Sequence, residues 1–284
     1  MSKSILLKFV PDSVFLRIKY FVRLHKILHL KNPQTFNEKS QWLKLHDHNP
    51  LYTQLVDKYR ARAFVANLIG EEHLNTLYGV YSSFEDIDFE KLPERFVLKC
   101  NHDCGSIFVC RDKKAIDYEK EKAKFNYALN HNYFWEGREW PYKGVKPCII
   151  AEKYLEDSKI KTIRDYKFFC FNGTPQLLYI SEGLENHSTA KISFYDLKGK
   201  KMPFHRSDYA QFESNPIPDN LDELTALATK LSKEVNAPFV RVDLFSIDNN
   251  IYFSEFTFFA CGGMLPFEPE EWDRKLGDWI HIQK

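Results

Sequence analysis

Residues 239–263 of the chain have the sequence FVRVDLFSIDNNIYFSEFTFFACGG, in which two apolar segments flank Asp248-Asn249-Asn250. Aspartate and asparagine at the centre of such a segment are typical of a tight turn between antiparallel strands. The pattern therefore predicts a hairpin of two strands, at residues 239–245 and 251–256. Asp243 and Glu255 lie twelve residues apart on these strands, and we expect them to be cross-strand neighbours.

The residues around these two carboxylates are those of a candidate metal site. Side chains alternate between the faces of a strand, so Arg241 shares a face with Asp243, and Thr257 shares one with Glu255. Mg²⁺ takes one or two carboxylates and completes its shell with phosphate oxygens and water. A surface salt bridge between Arg241 and one of the acids has the same spacing. The pattern leaves both interpretations open.

A lysine precedes a short glycine-containing loop further upstream. Residues 95–101 alternate as a strand, and Lys99 lies in this strand just before the loop that holds Gly105. The backbone N–H groups of such a loop can bind phosphates whose charge a nearby lysine neutralises. An ordinary hairpin loop after a strand lysine that extends toward water has the same pattern.

A polar segment ends the apolar strand that is predicted at residues 147–155. The segment consists of Glu152, Lys153, Tyr154 and Leu155, followed by Glu156 and Asp157. A strand edge of this kind can offer backbone donors and acceptors to a purine, and its acids can bind ribose hydroxyls. A strand that runs into a charged turn is the alternative interpretation.

The rest of the chain predicts helices followed by strands. Helical periodicity marks residues 14–24 and residues 51–69, so the N-terminal part of the chain is predicted to be helical. Downstream, Asn172-Gly173 joins two predicted strands, and residues 221–235 form an amphipathic helix. This order of elements predicts an α+β chain.

The composition excludes several classes of protein. The 284 residues include 40 basic and 39 acidic side chains, and this net charge of +1 implies no general attraction to nucleic acid. No apolar run approaches the roughly 20 residues of a membrane-spanning helix. Residues 1–10 lack the cleavage site of a signal peptide, so we expect a cytoplasmic protein whose six cysteines are reduced and buried.

The first predicted helix is both basic and amphipathic. Arg17, Lys19, Arg23 and Lys26 lie among its apolar residues. Such a helix can bind an acidic membrane surface, or it can turn a charged face to water while it packs on the protein. Its sequence leaves both interpretations open.

Taken in order along the chain, these segments resemble the ATP-grasp superfamily and, within it, the teichuronopeptide-biosynthesis (TupA-like) branch. The resemblance extends from about residue 29 to the C-terminus. The stretches that carry it are FNEKSQWLKLHDHNP (36–50), LVDKYRARAFV (55–65), LPERFVLKCNHDCGS (92–106), IIAEKYLED (149–157), DYKFFCFNG (165–173) and the segment quoted above.

The resemblance implies a domain organisation. It predicts an α+β ATP-grasp fold, in which two α+β lobes grip ATP and a helical N-terminal region at residues 1–75 precedes them. The implied first lobe, with the phosphate loop, is residues 76–152. The implied second lobe, with the metal site, is residues 153–284.

The resemblance also implies roles for individual residues, with ATP and Mg²⁺ as cofactors. The implied nucleotide-binding residues are Lys58, Lys99, Lys167, the phosphate loop (His102, Asp103, Cys104, Gly105 and Ser106), the adenine hinge (Glu152, Lys153, Tyr154 and Leu155) and a ribose partner at Asp157 or Glu156. Arg241 corresponds to the arginine that steadies the transferred phosphoryl group, and Lys99 is the second implied catalytic residue. Asp243, Glu255 and Thr257 correspond to the magnesium ligands.

Two features depart from the pattern of many ATP-grasp ligases. Thr257 stands where those ligases have an asparagine ligand, which implies a looser hold on a second magnesium ion. The N-terminal region is predicted to be helical, whereas a parallel α/β domain that helps to hold the acceptor usually precedes the grasp. The acceptor-binding residues therefore do not follow from the resemblance, and His102 is a candidate base by position only.

The resemblance implies an ATP-dependent carboxylate–amine ligase that forms an acyl phosphate. The branch is associated with cell-surface polymers such as capsule and exopolysaccharide. A uronic acid is therefore the implied carboxylate, and an amino acid or a small amine is the implied partner. The association also implies peripheral contact with membrane-bound polysaccharide machinery.

Three other functions stay open at this point. A phosphotransferase would share the strand lysine, but the chain lacks the H-R-D and D-F-G motifs of kinases. A glycosyltransferase of the same pathway would use a D-x-D metal site, and Asp86-Ile87-Asp88 matches that pattern within an acidic linker. A degenerate nucleotide-binding scaffold is the alternative that is not an enzyme, and the presence of Lys99, Asp243 and Glu255 counts against it.

Overall fold

The N-terminal part of the protein is helical in the computed structural model, which describes residues 8–184 and 188–282. Its helices are α1 (Asp12–Leu24), α2 (Phe36–His46), α3 (Pro50–Val56) and α4 (Ala61–Ile69). Helix α2 begins with a capping box, in which Thr35 and Glu38 bond to each other's backbone N–H. None of the helices in the two described ranges is long and apolar enough to cross a lipid bilayer.

The single helix predicted for residues 51–69 is wrong, because the chain leaves the helix between α3 and α4. The carboxylate of Asp57 accepts hydrogen bonds from the N–H groups of Tyr59 (2.9 Å) and Arg60 (3.1 Å) and so starts a new helix. This break takes Lys58 out of the helical surface and turns it toward the first sheet, where its N–H donates to the carbonyl of Asn101 (3.0 Å).

Two antiparallel sheets follow the helices. The first has the order β1-β4-β2-β3, and its strands are β1 (Leu77–Tyr81), β2 (Phe96–Cys100), β3 (Ile107–Cys110) and β4 (Ile149–Lys153). Helices α5 (Tyr118–Leu129) and α6 (Phe134–Gly137) lie between β3 and β4 in the chain. The first sheet packs with α5 around a small core of its own, which includes Phe84, Phe96 and Phe125.

The second sheet has the order β10-β9-β5-β6-β7 and carries the main core. Its strands are β5 (Arg164–Phe171), β6 (Thr174–Glu182), β7 (Lys191–Asp196), β9 (Phe239–Ile247) and β10 (Asn250–Thr257). The remaining elements are β8 (His205–Arg206), α7 (Leu221–Val235), β11 (Phe267–Glu268) and α8 (Glu271–Asp278). The hairpin turns are those predicted: Asn172-Gly173 and Asp248-Asn249 all have positive φ.

The two faces of the second sheet pack against different partners. One face is apolar and lies under α7, whose Leu224, Ala228 and Leu231 are fully buried. The opposite face carries Phe169 and Phe239 at one end, where the ring of Phe36 from α2 packs on them (centroids 6.1 and 4.8 Å apart). Helix α2 thus closes one end of this face and leaves the other end to polar side chains.

The prediction that the six cysteines are buried is confirmed for only some of them. All six thiols are free, and Cys100, Cys110 and Cys170 are buried. Cys104 and Cys261, in contrast, are exposed, and the prediction of burial is wrong for both. Cys104 lies between Asp103 and Gly105 in the β2–β3 loop, and Cys261 lies in the turn at Ala260–Gly263, so neither belongs to a strand core.

Phe36→Ala is expected to lower the free energy of unfolding by about 3–5 kcal/mol, because the ring is fully buried between the sheet and β11. Urea unfolding followed by circular dichroism would measure the change. Phe9→Ala, at a ring that is 77% exposed, is the control and should change stability by less than about 0.5 kcal/mol. Similar losses in the two variants would contradict the packing described for Phe36.

Candidate functional site

A row of charged side chains crosses the polar end of the second sheet. Asp243 on β9 pairs with Lys167 on β5 and with Glu255 on β10. The sequence prediction that Asp243 and Glu255 are cross-strand neighbours is confirmed. A β-bulge at Ser254 is the reason, because the register shifts there, and without the shift Ser254 would stand opposite Asp243.

Asp243 is a fully buried carboxylate with two cationic partners. Arg241 donates from Nε to Oδ1 (2.7 Å) and from Nη2 to Oδ2 (2.6 Å), and Lys167 Nζ donates to Oδ2 (2.9 Å). A buried charge is stable only with such partners in place. Arg241 also donates to the Tyr179 hydroxyl from Nη1 (3.1 Å) and to the Thr257 hydroxyl from Nη2 (3.0 Å).

Lys167 has a second acidic partner that the sequence analysis did not single out. Its Nζ lies 3.0 Å from Oδ1 of Asp165 on the same strand. Burial alone would lower the pKa of Lys167, but Asp165 and Asp243 outweigh burial and raise it. Burial in turn raises the pKa of Asp165. Lys167 therefore stays protonated in the site.

Glu255 lies at the open edge of the row. Its Oε2 is 3.4 Å from Lys58 Nζ, and its Oε1 is 3.7 Å from Arg241 Nη2. Burial would raise the pKa of this carboxyl, but Lys58, Lys167 and Arg241 reverse the effect and bring it to about 2. Glu255 is therefore ionised at any physiological pH.

Lys58 connects the two sheets. Its Nζ donates to the carbonyl of Asp103 in the β2–β3 loop (2.7 Å) as well as approaching Glu255. Burial would lower the pKa of Lys58, and the field of Glu255 raises it. Lys58, which the break after α3 turns toward the first sheet, therefore connects the predicted phosphate loop to the predicted metal ligand Glu255.

The predicted phosphate loop has one open side and one closed side. Gly105 has φ +116° and nothing within 4 Å of where a Cβ would be, so its backbone faces free space. Cys104 is exposed, and Ser106 donates from its hydroxyl to the carboxylate of Asp103. His102, in contrast, is buried: its Nδ1 bonds to Asn101 Oδ1 (3.2 Å) and its Nε2 to the carbonyl of Ala128 (3.1 Å).

Lys99 lies on the first sheet in an ion pair with the predicted hinge. Its Nζ is 2.7 Å from Oε2 of Glu152, a buried acid that also approaches Arg62 Nη1 (3.4 Å). Lys99 also helps to lower the pKa of Glu255, so it is joined to the hinge by an ion pair and to the charged row through its electric field. Arg62 is a further cation of this region that the sequence analysis missed.

The remaining hinge residues already have partners. The carbonyl of Lys153 accepts from the side chain of Asn75 (2.9 Å), and Leu155 is buried. Tyr154 donates from its hydroxyl to Glu156 (3.1 Å). Asp157 accepts from two N–H groups of the turn that follows it and from the N–H of Asp248. A ribose bound by Asp157 or Glu156 would have to share these acceptors.

Side chains of α2 bind the turn that follows β10, the strand of Glu255 and Thr257. In the turn at Ala260–Gly263, Cys261 and Gly262 have positive φ. Lys44 Nζ of α2 donates to the carbonyl of Gly262 (2.7 Å), and Gln41 Nε2 donates to that of Gly263 (2.7 Å). Asn37, Ser40, Gln41 and Lys44 recur at helical spacing, and this buried polar stripe is the signal that sequence reasoning could have used.

A buried acid and two tyrosines surround the same turn. Oε1 of Glu139 would lie 3.7 Å from a Cβ on Gly262, and Lys44 Nζ would lie 3.9 Å from it. Burial raises the pKa of Glu139 and lowers that of Lys44 to about 8. Tyr133 and Tyr142 lie within electrostatic reach of both Glu139 and Glu255. Sequence reasoning identified none of these four residues.

The donor set of the charged row fits a hard divalent cation. Asp243, Glu255 and Thr257 offer only oxygen atoms on one sheet face, and Mg²⁺ prefers few carboxylates beside phosphate oxygens. Among the described residues no three His, Cys, Asp or Glu side chains converge as a metal-binding group. The set therefore fits an ion that phosphates help to hold, rather than an ion held by protein ligands alone.

The low pKa of Glu255 gives the protein a defined acid sensitivity. In the folded chain Glu255 stays ionised to about pH 2, whereas in the unfolded chain it takes up a proton near pH 4.5. Its stabilisation is therefore fully present above about pH 4.5 and is lost as the pH falls toward about 2, at about 1.4 kcal/mol per pH unit. Urea unfolding at a series of pH values should show this loss in the wild type and not in Glu255→Gln, and equal slopes would contradict it.

Comparison with known proteins connects this geometry to a family. The family model described as TupA-like ATP-grasp matches residues 38–281. No curated protein gives a significant match to the chain.

Several solved ATP-grasp structures resemble the chain at low identity. D-alanine–D-alanine ligase from Bacillus anthracis with ATP is 15% identical, with a TM-score of 0.40 over 72% of this chain and 54% of the ligase. The corresponding ligase from Helicobacter pylori is 14% identical, with a TM-score of 0.42 over 88% of this chain and 70% of that one. An ATP-grasp RimK-domain protein from Sphaerobacter thermophilus is 12% identical, with a TM-score of 0.42 over 81% and 69%.

The chain spans 54% and 64% of the length of the two Bacillus anthracis ligase structures that it matches. The family match, in contrast, covers most of the present sequence and includes both sheets. It confirms the resemblance seen in the sequence and the α+β ATP-grasp fold: the chain belongs to the TupA-like ATP-grasp family.

Proposed function

We propose that the chain is a cytoplasmic ATP-dependent carboxylate–amine ligase that works through an acyl phosphate. The observation that carries this proposal is the row of buried charges on the second sheet, where Lys58, Lys167 and Arg241 meet Asp243 and Glu255. A carboxylate and the phosphates of ATP repel each other, so a site that brings them together needs several cations. Membership of an ATP-grasp family supports ATP as the nucleotide.

The proposed reaction has two steps. A carboxylate oxygen of the substrate attacks the γ-phosphorus of ATP in line, and the bond from this phosphorus to the bridging oxygen of ADP breaks. An amine nitrogen then attacks the acyl carbon, the C–O bond to the phosphoryl group breaks, and phosphate leaves as the nitrogen loses a proton. In this scheme Lys58 and Lys99 neutralise phosphates, and Arg241 steadies the transferred phosphoryl group.

Asp243, Glu255 and Thr257 are the residues that would hold magnesium in this proposal. The bound ion would neutralise charge on the outer phosphates of ATP. Arg241 and Lys167 donate to Asp243 in this structure, and both retain N–H groups that can turn to phosphate oxygens. The five side chains are thus close enough to exchange partners without a change in the sheet.

The turn at Ala260–Gly263 is the proposed acceptor side of the site. Lys44 and Gln41 fix its carbonyls, so its glycine backbone can lie close to a substrate. Glu139 is the proposed base for the amine, because its carboxyl lies beside Gly262 of this turn and burial raises its pKa, which makes it a better proton acceptor. Glu139 replaces His102 as the favoured base, since both ring nitrogens of His102 are occupied.

The proposed substrates are a uronic acid and an amino acid or small amine, and the proposed pathway is the synthesis of capsule or exopolysaccharide. The TupA-like resemblance supports these choices. The D-x-D hypothesis for a glycosyltransferase loses its support, because Asp86 and Asp88 cap surface turns and Asp88 pairs with Lys91 (2.9 Å).

ATP with magnesium should raise the melting temperature, whereas GTP and UDP-sugars should not. Lys99→Ala is expected to weaken ATP binding at least about tenfold, because a charge-assisted contact to phosphate is worth about 1.5–3 kcal/mol. Lys91→Ala, at an exposed lysine paired only with Asp88, is the matched control and should bind ATP as the wild type does. Thermal shift and calorimetry measure both. Stabilisation by a UDP-sugar without any response to ATP would favour a glycosyltransferase instead.

Asp243→Asn is expected to abolish both turnover and the magnesium dependence of ATP binding. It should also cost about 3–5 kcal/mol of stability, because Arg241 and Lys167 lose their buried anion. Thr257→Ala leaves these ion pairs intact and should weaken magnesium severalfold with little loss of stability. Magnesium titrations of the ATP-induced thermal shift, and ADP release with uronic acids and amino acids, measure these effects. Unchanged magnesium dependence in folded Asp243→Asn would overturn the metal assignment.

A further inference from the structure

Helix α1 exposes apolar side chains that no other described part of the protein covers. Val14, Ile18, Phe21 and Val22 lie on one side of the helix, with Phe9 before it and Ile27 after it. These six residues, here called the apolar stripe, are between 44% and 77% exposed. They make up six of the fourteen large hydrophobic residues that are exposed in the described ranges. Single exposed apolar residues are ordinary, but a contiguous set marks an interaction surface.

The other side of α1 is firmly attached to the protein, so the stripe is fixed outward. Leu16 and Tyr20 are buried in a cluster with Leu28 and Met264. Asp12 of the first turn forms an ion pair with Arg138, in which Oδ1 lies 2.7 Å from Nε. The helix therefore has two apolar sides, and the packing side is already satisfied. The outer face of α1 is therefore apolar as well as charged.

Positive charge is concentrated on the same segment. Residues 8–31 contain six lysines and arginines and one aspartate, whereas the other 260 residues contain 34 basic and 38 acidic side chains. Lys8, Arg17 and Lys31 are exposed around the stripe. Arg23 and Lys26 pair with Asp208 (3.0 Å) and Glu270 (2.8 Å), but exposed pairs of this kind hold their charges only weakly.

We propose that the apolar stripe and its surrounding cations form a docking surface for an anionic lipid bilayer. An amphipathic helix with bulky aliphatic and aromatic side chains on one face and lysine or arginine beside them binds in the plane of the membrane interface. Anionic headgroups supply the complementary charge, at about 1 kcal/mol for each basic side chain near the surface. A second copy of the chain fits less well, because its stripe would bring a surface of the same positive charge.

The docking surface lies close to the acceptor side of the site. Met264, which packs on Leu16 and Tyr20, follows the turn at Ala260–Gly263 directly in the chain. The buried side of α1 therefore packs on the residue that follows this turn. Docking through the stripe would hold this turn near the membrane surface, where a membrane-attached polymer or carrier is within reach.

Flotation of the full chain with vesicles tests the proposal. Vesicles of phosphatidylcholine with phosphatidylglycerol should carry the protein, vesicles of phosphatidylcholine alone should carry much less, and added salt should reduce binding. The double variant Phe21→Ser/Val22→Ser should bind at least about tenfold more weakly, since two exposed apolar side chains no longer enter the interface. Tyr127→Ser, at a ring of α5 that is 70% exposed, is the matched control and should bind as the wild type does.

The outcomes separate the possible occupants of the surface. The proposal would be overturned if the wild type bound neither kind of vesicle, or if Phe21→Ser/Val22→Ser bound as strongly as the wild type. Light scattering that shows a dimer in the wild type and a monomer in the double variant would assign the stripe to a second copy. ATP binding, measured by thermal shift in the same double variant, should be unchanged, so that failure here is distinguishable from failure of the proposed ligase activity.

Discussion

The rest of the structure depends on one constraint, which is the complete burial of the Asp243 carboxylate. A buried anion requires its cations in fixed positions, and Arg241 and Lys167 provide three hydrogen bonds of 2.6–2.9 Å. These positions follow from the antiparallel register of β5, β9 and β10. A slip of one residue on β9 would turn Asp243 into the apolar face under α7, so the charges and the core enforce the same register. The ring of Phe36 at the other end of the face adds a packing constraint to the electrostatic one.

Much of the fold could be predicted from local patterns, and the parts that could not depend on contacts between distant segments. Strand alternation and turn residues predict the hairpin of Asp243 and Glu255, and the spacing of twelve residues already contains the bulge at Ser254. The break at Asp57 had a local signal, since aspartate is a good cap. The position of Lys58 between Asp103 and Glu255 had none, because it requires both sheets to be in place.

The two helices on which sequence reasoning was least informative break the usual rule of amphipathic helices. Helix α2 buries a polar stripe, in which Gln41 and Lys44 hold the turn at Ala260–Gly263. Helix α1 exposes apolar side chains such as Phe21 and Val22. Hydrophobic periodicity predicts α1, but it does not tell which face of the helix meets the protein. Local conflicts of this kind are expected where a protein meets a ligand or a partner.

The helical N-terminal region is therefore an integral part of the proposed site and not an addition to it. It supplies Lys58 to the charged row, Arg62 to the buried acid Glu152, and Lys44 to the turn beyond the metal strand. In each case one cationic side chain joins the N-terminal region to a different strand or loop of the two sheets. A phosphate that drew Lys58 away from Asp103 and Glu255 would have two effects at once. The β2–β3 loop would lose its hydrogen bond to Lys58, and Glu255 would lose one of its cationic partners. In the proposed ligase, the ammonium group of Lys58 would in this way link nucleotide binding to the arrangement of the two sheets.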